Sequence, residues 1–254
     1  MDAIWPSPAR DVDPLTAYAA DERRPPGGRP WVMVNMIASA DGSVVDSDGR
    51  SGGLAGPGDR AVFSAIRAVA DVIVAGSSTV VAEDYGPARP PPAVRRMRRA
   101  RGQADVPRIA VVSGSLTIRP DRRLFREAPA GARPIVLTIE RADPARRRAL
   151  AEVAEVRDAG VHLVDWRLAL AVLADATGAG AVLCEGGPTT VAQLVADDLV
   201  DELCLTIAPT MVVGTGPRVA QGPHVVTSRE LALDRVLVED GYLFLRYLRA
   251  GRGG

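Results

Sequence analysis

Apolar runs alternate with segments of helical periodicity along most of this 254-residue chain. The run from Trp31 to Ala38 is broken only by Asn35, and it predicts a central strand that is buried on both faces. Similar runs predict strands at 72–75, 108–112, 134–138, 161–164, 181–184, 202–207 and 242–248. Helical spacing and helix-start signals predict helices over 59–70 and 77–82 and from 144, 167 and 188 onward. This order, with strands concentrated near the C-terminus, predicts an α/β fold whose mainly parallel sheet carries antiparallel C-terminal strands.

Two segments depart from the alternation. Residues 1–28 are rich in Pro, Asp, Ala and Gly and show little periodicity, which predicts an irregular N-terminal arm before a single domain over 29–250. Residues 84–108 are dense in Pro and Arg and lack an apolar stripe, which indicates an insertion that forms a solvated helix or a flap beside a ligand site. The arginines of 95–101 also leave nucleic-acid binding open, but no aromatic residue is interleaved with them to stack on bases.

Two junctions between a strand and a helix carry glycine. The strand at 181–184 is followed by Glu185, Gly186 and Gly187 and then a helix start, and the strand at 72–75 is followed by Gly76 and another helix start. Such junctions leave backbone N–H groups free at a helix N-terminus, with no Cβ to keep a phosphate away. Two of them in one chain suggest a nucleotide cofactor, although the same turns also serve as packing devices in α/β proteins.

Composition excludes several kinds of chemistry. The chain has no lysine, so it can form neither a Schiff base nor a Walker A phosphate loop. Its two cysteines and two histidines lack metal-ligand spacing, and no metal site is expected; the cysteines are expected to be buried free thiols. The formal net charge is zero, which provides no general attraction to nucleic acid or anionic lipid. Without a signal peptide or a membrane-spanning apolar run, the chain is expected to be soluble and cytoplasmic.

Four ordered motifs resemble a known family. The segment RPWVMVNMIASADG at 29–42 is similar to the opening of the reductase domain of bacterial riboflavin-biosynthesis deaminase-reductases. ADVIVAGSSTV at 70–80, the Glu185-Gly186-Gly187 turn, and LVDEL at 199–203 followed by IAP at 207–209 match the same family. The resemblance covers about residues 29–250. It implies a dihydrofolate reductase-like fold with helices on both faces of the sheet, as a stand-alone reductase domain without the zinc deaminase half.

The resemblance implies NADPH as the cofactor. The residues expected to bind it are Ala38, Gly76, Ser78, Thr79, Ser113, Gly186, Gly187 and Thr189. Gly76 to Thr79 would hold a phosphate at a helix N-terminus, and Ala38 would face the nicotinamide. Ser113 lies where the related reductases meet the ribose 2′-phosphate, though an ordinary turn serine is an equal interpretation. The hydride chemistry belongs to the cofactor, and the protein presents the nicotinamide to an electrophilic carbon.

The substrate implied by the resemblance is 5-amino-6-(5-phosphoribosylamino)uracil, a small molecule. Asn35 stands where many members have a lysine, while Asp84 and Arg89 keep a carboxylate and a guanidinium in the segment where the sugar phosphate binds. Asp41 is expected to orient the substrate or relay a proton, although an Asp-Gly turn also explains it. Glu185 is expected to point toward the substrate. Dihydrofolate is the alternative substrate, and a non-catalytic nucleotide-binding module is the alternative function.

The late strands also predict assembly. Leu203, Leu205 and Ile207 alternate along one predicted strand and Leu243 and Leu245 along another, which leaves apolar surface on both faces of C-terminal strands. The resembled reductases pair through this region. We therefore expect a homodimer with twofold symmetry, with each active site formed mainly within one subunit.

Overall fold

The computed structural model describes residues 1–24, 27–223 and 228–251. Within those residues it contains ten strands and eight α-helices. The strands are β1 (Asp2–Trp5), β2 (Trp31–Ser39), β3 (Val72–Gly76), β4 (Arg108–Val112), β5 (Ile135–Thr138), β6 (Glu155–Asp158), β7 (Ala181–Cys184), β8 (Glu202–Ala208), β9 (Leu231–Glu239) and β10 (Tyr242–Arg249). The helices are α1 (Pro14–Ala20), α2 (Pro57–Val69), α3 (Ser77–Ala82), α4 (Pro92–Ala100), α5 (Arg123–Arg126), α6 (Pro144–Ala151), α7 (Trp166–Thr177) and α8 (Pro188–Ala196).

The chain divides into two compact units. The terminal unit comprises Met1–Arg23, Trp31–Arg67 and Cys184–Gly254, and the central unit comprises Arg24–Pro30 and Ala68–Leu183. The single domain predicted for 29–250 stays a prediction. The predicted fold class is confirmed, because parallel strands dominate the central unit and the C-terminal strands are antiparallel.

Strands of the terminal unit follow the order β1-β9-β10-β8-β2. The pairs from β1 to β8 are antiparallel, and β8 runs parallel to β2 with Ile37 opposite Thr206 and Ala38 opposite Ile207. Side chains alternate between the two faces of β8, so Glu202, Cys204 and Thr206 share a face that is buried. The opposite face is apolar and only half-buried.

The central unit has the strand order β7-β3-β4-β5-β6, and β3 to β6 are parallel. All residues of β3, β5 and β7 are buried, which is typical of strands covered on both faces and explains their continuous apolar sequences. The predicted helix after Asp143 is confirmed as α6, where the Asp143 carboxylate accepts from the Arg146 N–H at 2.8 Å and Pro144 occupies the first turn.

The strand predicted at 161–164 is wrong. Residues 161–164 lie in a loop where Leu163 is 82% exposed, and the strand in this part of the chain is β6. Its sequence, Glu-Val-Arg-Asp, is charged and half-exposed because β6 lies at the edge of the sheet and pairs only with β5 among the described strands. An edge strand pairs on one side only and can carry charged, half-exposed side chains. The apolar content of residues 161–164 was therefore a poor guide to the position of this strand.

The N-terminal arm is more regular than predicted, because it contains β1 and α1. Asp13 caps α1: its carboxylate accepts from the Thr16 N–H at 2.8 Å and from the Thr16 hydroxyl at 2.7 Å. Tyr18 of the same helix is 1% exposed. Residues 1–23 of the arm are therefore part of the terminal unit and do not form an irregular extension.

A cluster of buried charges ties the arm to the C-terminal strands. Glu202 is fully buried and accepts hydrogen bonds from Arg23 at 3.0 Å, from Arg246 at 2.9 Å and from the Trp31 indole at 3.1 Å. Arg235 binds Asp21 through both Nη atoms, at 2.8 and 2.9 Å. Each charge thus meets opposite charges at short distance, which offsets the cost of removing it from water.

The Pro- and Arg-rich insertion forms a helix, one of the two structures predicted for it, and most residues of that helix are exposed. Its helix α4 buries Arg98 completely, and the Arg98 guanidinium donates to the carbonyls of Ala68 at 3.0 Å, Ala70 at 2.6 Å and Ala104 at 2.7 Å. The helix packs through Val94 and Arg98, which lie four residues apart on one face, and the methylene stem of the arginine fills space as an apolar side chain does.

Candidate active site

The Glu185-Gly186-Gly187 turn follows β7 and leads into α8. Gly186 has a φ of +87°, and a Cβ on it would lie 3.0 Å from the Met36 Sδ, so this position requires glycine. Gly187 has a φ of −71° and caps α8 without a side-chain hydrogen bond. The turn therefore brings uncapped backbone to the start of a nine-residue helix, and Thr189 lies exposed in its first turn.

Glu185 is held by an arginine that the sequence analysis missed. Arg67 of α2 donates to both carboxylate oxygens of Glu185, at 2.6 Å each, and lies 4.2 Å above the centre of the Phe63 ring. The Glu185 side chain is 1% exposed and that of Arg67 is 22% exposed. Glu185 is thus a paired, oriented carboxylate at the glycine turn; the catalytic role expected for it stays a prediction. Helical periodicity placed residue 67 near the end of a helix, but nothing in sequence linked it to a partner 118 positions away.

Asp41 anchors a loop of the terminal unit. Its carboxylate accepts from the Ser39 hydroxyl at 2.6 Å and from the backbone N–H groups of Val212 at 3.1 Å and Val213 at 2.9 Å. These hydrogen bonds, that of Ser39 first, lower the pKa of Asp41. A carboxylate stabilised in its ionised form is a poor proton donor, so the geometry favours positioning over the catalytic role expected for Asp41.

Two further predicted residues lie on β2. Asn35 is half-buried and pairs in register with Cys204, while Ala38 is buried near the end of the strand opposite Ile207. The terminal unit therefore contains Asn35, Ala38 and Asp41 on or after β2, together with the glycine turn and Thr189.

The other cofactor candidates lie in the central unit. Gly76 ends β3 and caps α3 without a side-chain hydrogen bond, with Ser78 exposed and Thr79 half-buried in that helix. Ser113 follows β4 and is 3% exposed, yet no described residue hydrogen-bonds to its Oγ. A buried hydroxyl without a partner costs free energy unless a water or a ligand satisfies it; the cofactor role expected for Ser113 stays a prediction.

The substrate candidates of the central unit form exposed ion pairs. Arg89 binds Glu127 at 2.8 Å, and Arg123 binds Asp84 at 3.2 Å and Glu127 at 3.3 Å. Asp84 has a φ of +45°, which marks a turn. The structure thus brings Asp84 and Arg89 into one network through Glu127 and Arg123, two residues that sequence reasoning did not select.

Among the described residues, no group of three or more His, Cys, Asp and Glu side chains is placed to hold a metal ion. The two cysteines are free and buried, as predicted, and burial raises the pKa of Cys184 to about 12. In the part of the chain that the structure describes, no helix is both long and apolar enough to cross a membrane.

Residues 30–240 match the RibD C-terminal domain family. A protein of Methanothermobacter thermautotrophicus named 2,5-diamino-6-ribosylamino-4(3H)-pyrimidinone 5′-phosphate reductase is 33% identical over 190 residues, which cover 75% of this chain and 82% of the relative. A protein of Archaeoglobus fulgidus with the same name is 28% identical over 195 residues, 76% of this chain and 87% of the relative.

Solved structures agree with these relatives. A pyrimidine reductase-like protein of Corynebacterium diphtheriae superposes with a TM-score of 0.79 at 27% identity, over 87% of this chain and 92% of the other. The riboflavin biosynthesis reductase Rib7 of Saccharomyces cerevisiae superposes with a TM-score of 0.65 at 20% identity, over 87% of this chain and 90% of the other, and shows the same fold.

Proposed function

Because the chain belongs to the RibD C-terminal domain family, we propose that it is an NADPH-dependent reductase of a ribosylamino-pyrimidine 5′-phosphate in riboflavin biosynthesis. The observation that carries the proposal is the turn after β7, where Gly186 adopts a backbone conformation that favours glycine and Gly187 opens α8 without a side-chain cap. Such a helix start is suited to bind an anionic group through backbone N–H donors.

The residues of each unit fit a nicotinamide dinucleotide. In the terminal unit, Gly186 and Gly187 leave the backbone open to a phosphate, and Thr189 stands exposed in the first turn of α8. In the central unit, Gly76 leads into Ser78 and Thr79, and Ser113, whose buried Oγ has no hydrogen-bond partner among the described residues, is the proposed donor to a 2′-phosphate. When bound, the cofactor supplies a hydride, while these residues bind and orient it.

Two pyrimidines are candidates for the substrate. The relatives' names support 2,5-diamino-6-ribosylamino-4(3H)-pyrimidinone 5′-phosphate, and the sequence resemblance implied the corresponding aminouracil. Both carry a ribose phosphate, and the arginines of the central-unit network, Arg89 and Arg123, are suited to meet that anion because guanidinium groups bind phosphate bidentately. Asn35, on β2 of the terminal unit, carries no charge.

A substrate panel tests the proposal. Purified protein with NADPH is incubated with the diaminopyrimidinone phosphate, the aminouracil phosphate or dihydrofolate, and oxidation of the cofactor is followed by absorbance. We expect turnover of a pyrimidine phosphate and none of dihydrofolate. Turnover of dihydrofolate alone would contradict the substrate class, and absence of turnover with every compound would contradict the reductase.

The proposal includes a homodimer. Leu203, Leu205 and Ile207 of β8 lie opposite Tyr247, Leu245 and Leu243 of β10, on the apolar half-buried face of the terminal unit. Beside that face is a cavity of about 510 Å³, lined in part by Val34, Leu203 and Leu231. The opposite face holds the buried charge cluster, so the expectation of apolar surface on both faces is wrong. One continuous apolar face supports pairing with a second copy.

A further inference from the structure

Five large apolar side chains that are exposed to solvent lie on three neighbouring strands of the terminal unit, β1, β9 and β10. They are Ile4 and Trp5 of β1, Leu231 and Leu233 of β9, and Leu243 of β10, with exposed fractions between 37% and 53%. Residues that lie opposite each other in neighbouring strands share a face of the sheet. The strand register therefore decides whether these side chains belong to one surface.

One row of side chains crosses this sheet from β1 to β8. Trp5 lies in register with Val236 of β9, and Val236 with Leu245 of β10. Leu245 in turn lies opposite Leu205 of β8. Two flanking rows cross β9, β10 and β8 on the same face: Val238, Leu243 and Ile207, and Leu233, Tyr247 and Leu203. Trp5 therefore extends to β1 the apolar face that we assign to the homodimer.

This face has no charged group at its centre. None of the residues that the three rows take from β8, β9 and β10 carries a charge. At its rim, Asp2 forms an ion pair with Arg10, and Arg249 forms one with Asp198. When such a face packs against the same face of a second copy, it brings no like charges together. A second copy of this chain is therefore the partner that its chemistry fits.

The outer edge of β1 is closed to another strand. The Ala3 N–H donates to the Ala9 carbonyl at 2.9 Å, and the Ala9 N–H donates to the Ala3 carbonyl at 3.1 Å. Pro6 follows Trp5 and has no N–H to donate. Because these groups are paired or missing, two copies cannot extend the sheet edge to edge through β1. The face of the sheet is the surface that remains for association.

β1 also adds to the size of this face. Neighbouring strands lie about 4.8 Å apart, so β1 widens the face formed by β8, β10 and β9 from about 14 Å to about 19 Å. A stable interface between two proteins buries about 800 Å² on each partner. The added strand brings the face closer to that requirement.

We propose that β1 forms part of the dimer interface, with Trp5 of each copy packed on the apolar face of the other. The inference rests on the homodimer of the proposed function and adds to it a strand outside residues 30–240, the range that matches the family. Tryptophan suits this position because it buries a large area with few rotatable bonds and is enriched among the residues that dominate binding energy. In a twofold dimer each copy both provides and receives a Trp5.

Sedimentation velocity across a dilution series measures the dissociation constant of the dimer for the wild type, Trp5→Ser and Leu168→Ser. Leu168 is the matched control because it is 45% exposed, close to the 48% of Trp5, and lies on α7 of the central unit. We expect Trp5→Ser to raise the dissociation constant by about thirtyfold, as for a residue that dominates an interface. Leu168→Ser should leave it unchanged.

Tryptophan fluorescence tests the same contact in the unaltered protein. Trp5 is the most exposed of the three tryptophans, since Trp31 is half-buried and Trp166 is 2% exposed. The difference in emission between the wild type and Trp5→Phe isolates the signal of Trp5. Acrylamide should quench this signal less in the dimer than in a dilute, dissociated sample, because the second copy shields the ring. This measurement decides the question if Trp5→Ser fails to fold.

The role of β1 and the homodimer fail in different ways. A dimeric wild type whose dissociation constant is unchanged in Trp5→Ser, or whose Trp5 is quenched equally in dimer and monomer, overturns the role of β1 and leaves pairing through β8 and β10 intact. A wild type that is monomeric at micromolar concentration overturns the homodimer and this inference with it, while the substrate panel tests the reductase separately.

Discussion

At the scale of single residues, the site depends on pairs that bridge distant parts of the sequence. Glu185 could be selected from its place beside two glycines, because a strand that ends in a carboxylate and glycine is a local pattern. Its partner Arg67 could not be selected, since nothing in the sequence shows which of the two arginines of α2 turns inward. Ser113 illustrates the reverse case: its place after a strand fits both an ordinary turn and contact with a 2′-phosphate, and its buried Oγ has no hydrogen-bond partner among the described residues that would decide between them.

Replacing Arg67 should destabilise the fold more than replacing another arginine of α2. Arg67→Met leaves the Glu185 carboxylate nearly buried without its bidentate partner, which should lower the free energy of unfolding by about 3 kcal/mol. Arg60→Met is the matched control, because Arg60 is exposed on the same helix. Urea denaturation of both variants measures the difference. Equal losses of unfolding free energy in the two variants would show that the ion pair between Arg67 and Glu185 contributes no more to stability than an exposed arginine does.

Ser113 should contribute to the choice between NADPH and NADH. Ser113→Ala removes a hydroxyl that is available for a 2′-phosphate, so the Kd for NADPH should rise about tenfold, as for loss of one charge-assisted hydrogen bond. The Kd for NADH should stay the same because NADH has no 2′-phosphate. Isothermal titration calorimetry with both cofactors measures this, with the exposed Ser115→Ala as control. An equal rise in the Kd for NADH would show that Ser113 supports the fold of the site and does not contact the 2′-phosphate.

At the scale of elements, the buried apolar strands and the capped helices were predictable, and the exposed or charged elements were not. β3, β5 and β7 have apolar sequences because both faces are covered, whereas β6 and β9 carry charged or exposed positions that resemble loops. α1 was missed although Asp13, Pro14 and Thr16 form a cap signal, since overall composition outweighed it. The arm is held by contacts with Glu202 and Arg246, and no local sequence pattern links these distant residues to residues 1–23.

The charge cluster should make stability depend on acid pH. Burial raises the pKa of Glu202, but the hydrogen bonds and charges of Arg246 and Arg23 outweigh it and lower the pKa from 4.5 to about 2. A lowered pKa in the folded state stabilises the protein above pH 4.5, and this contribution is lost as the pH falls toward about 2.

Glu202→Gln should therefore unfold more easily than the wild type at neutral pH, by about 3–5 kcal/mol, because two buried arginines lose their anion. The difference should shrink as the pH falls below 4.5, where Glu202 of the unfolded wild type becomes protonated. Chemical denaturation across the pH range checks both expectations. A difference that is constant with pH would contradict the ionised cluster.

At the scale of the whole molecule, the apolar face of β8 and β10 should govern assembly. Leu205→Asp places a charge at the centre of that face, opposite Leu245, and should convert the dimer into a monomer at micromolar concentration. Leu163→Asp is the control, since Leu163 is 82% exposed in a loop of the central unit. Sedimentation velocity gives the mass of each. A monomeric wild type, or a Leu205→Asp variant that remains dimeric, would contradict the predicted interface.

The central claim is that the protein transfers a hydride from a reduced nicotinamide to a ribosylamino-pyrimidine phosphate. The most direct measurement uses NADPH deuterated at C4 on each face in turn and follows the product by mass spectrometry. The account predicts that the pyrimidine product gains one deuterium from only one of the two labelled cofactors. A pyrimidine that is recovered unreduced with both labelled cofactors, or a reduced product that carries no deuterium from either, would contradict it.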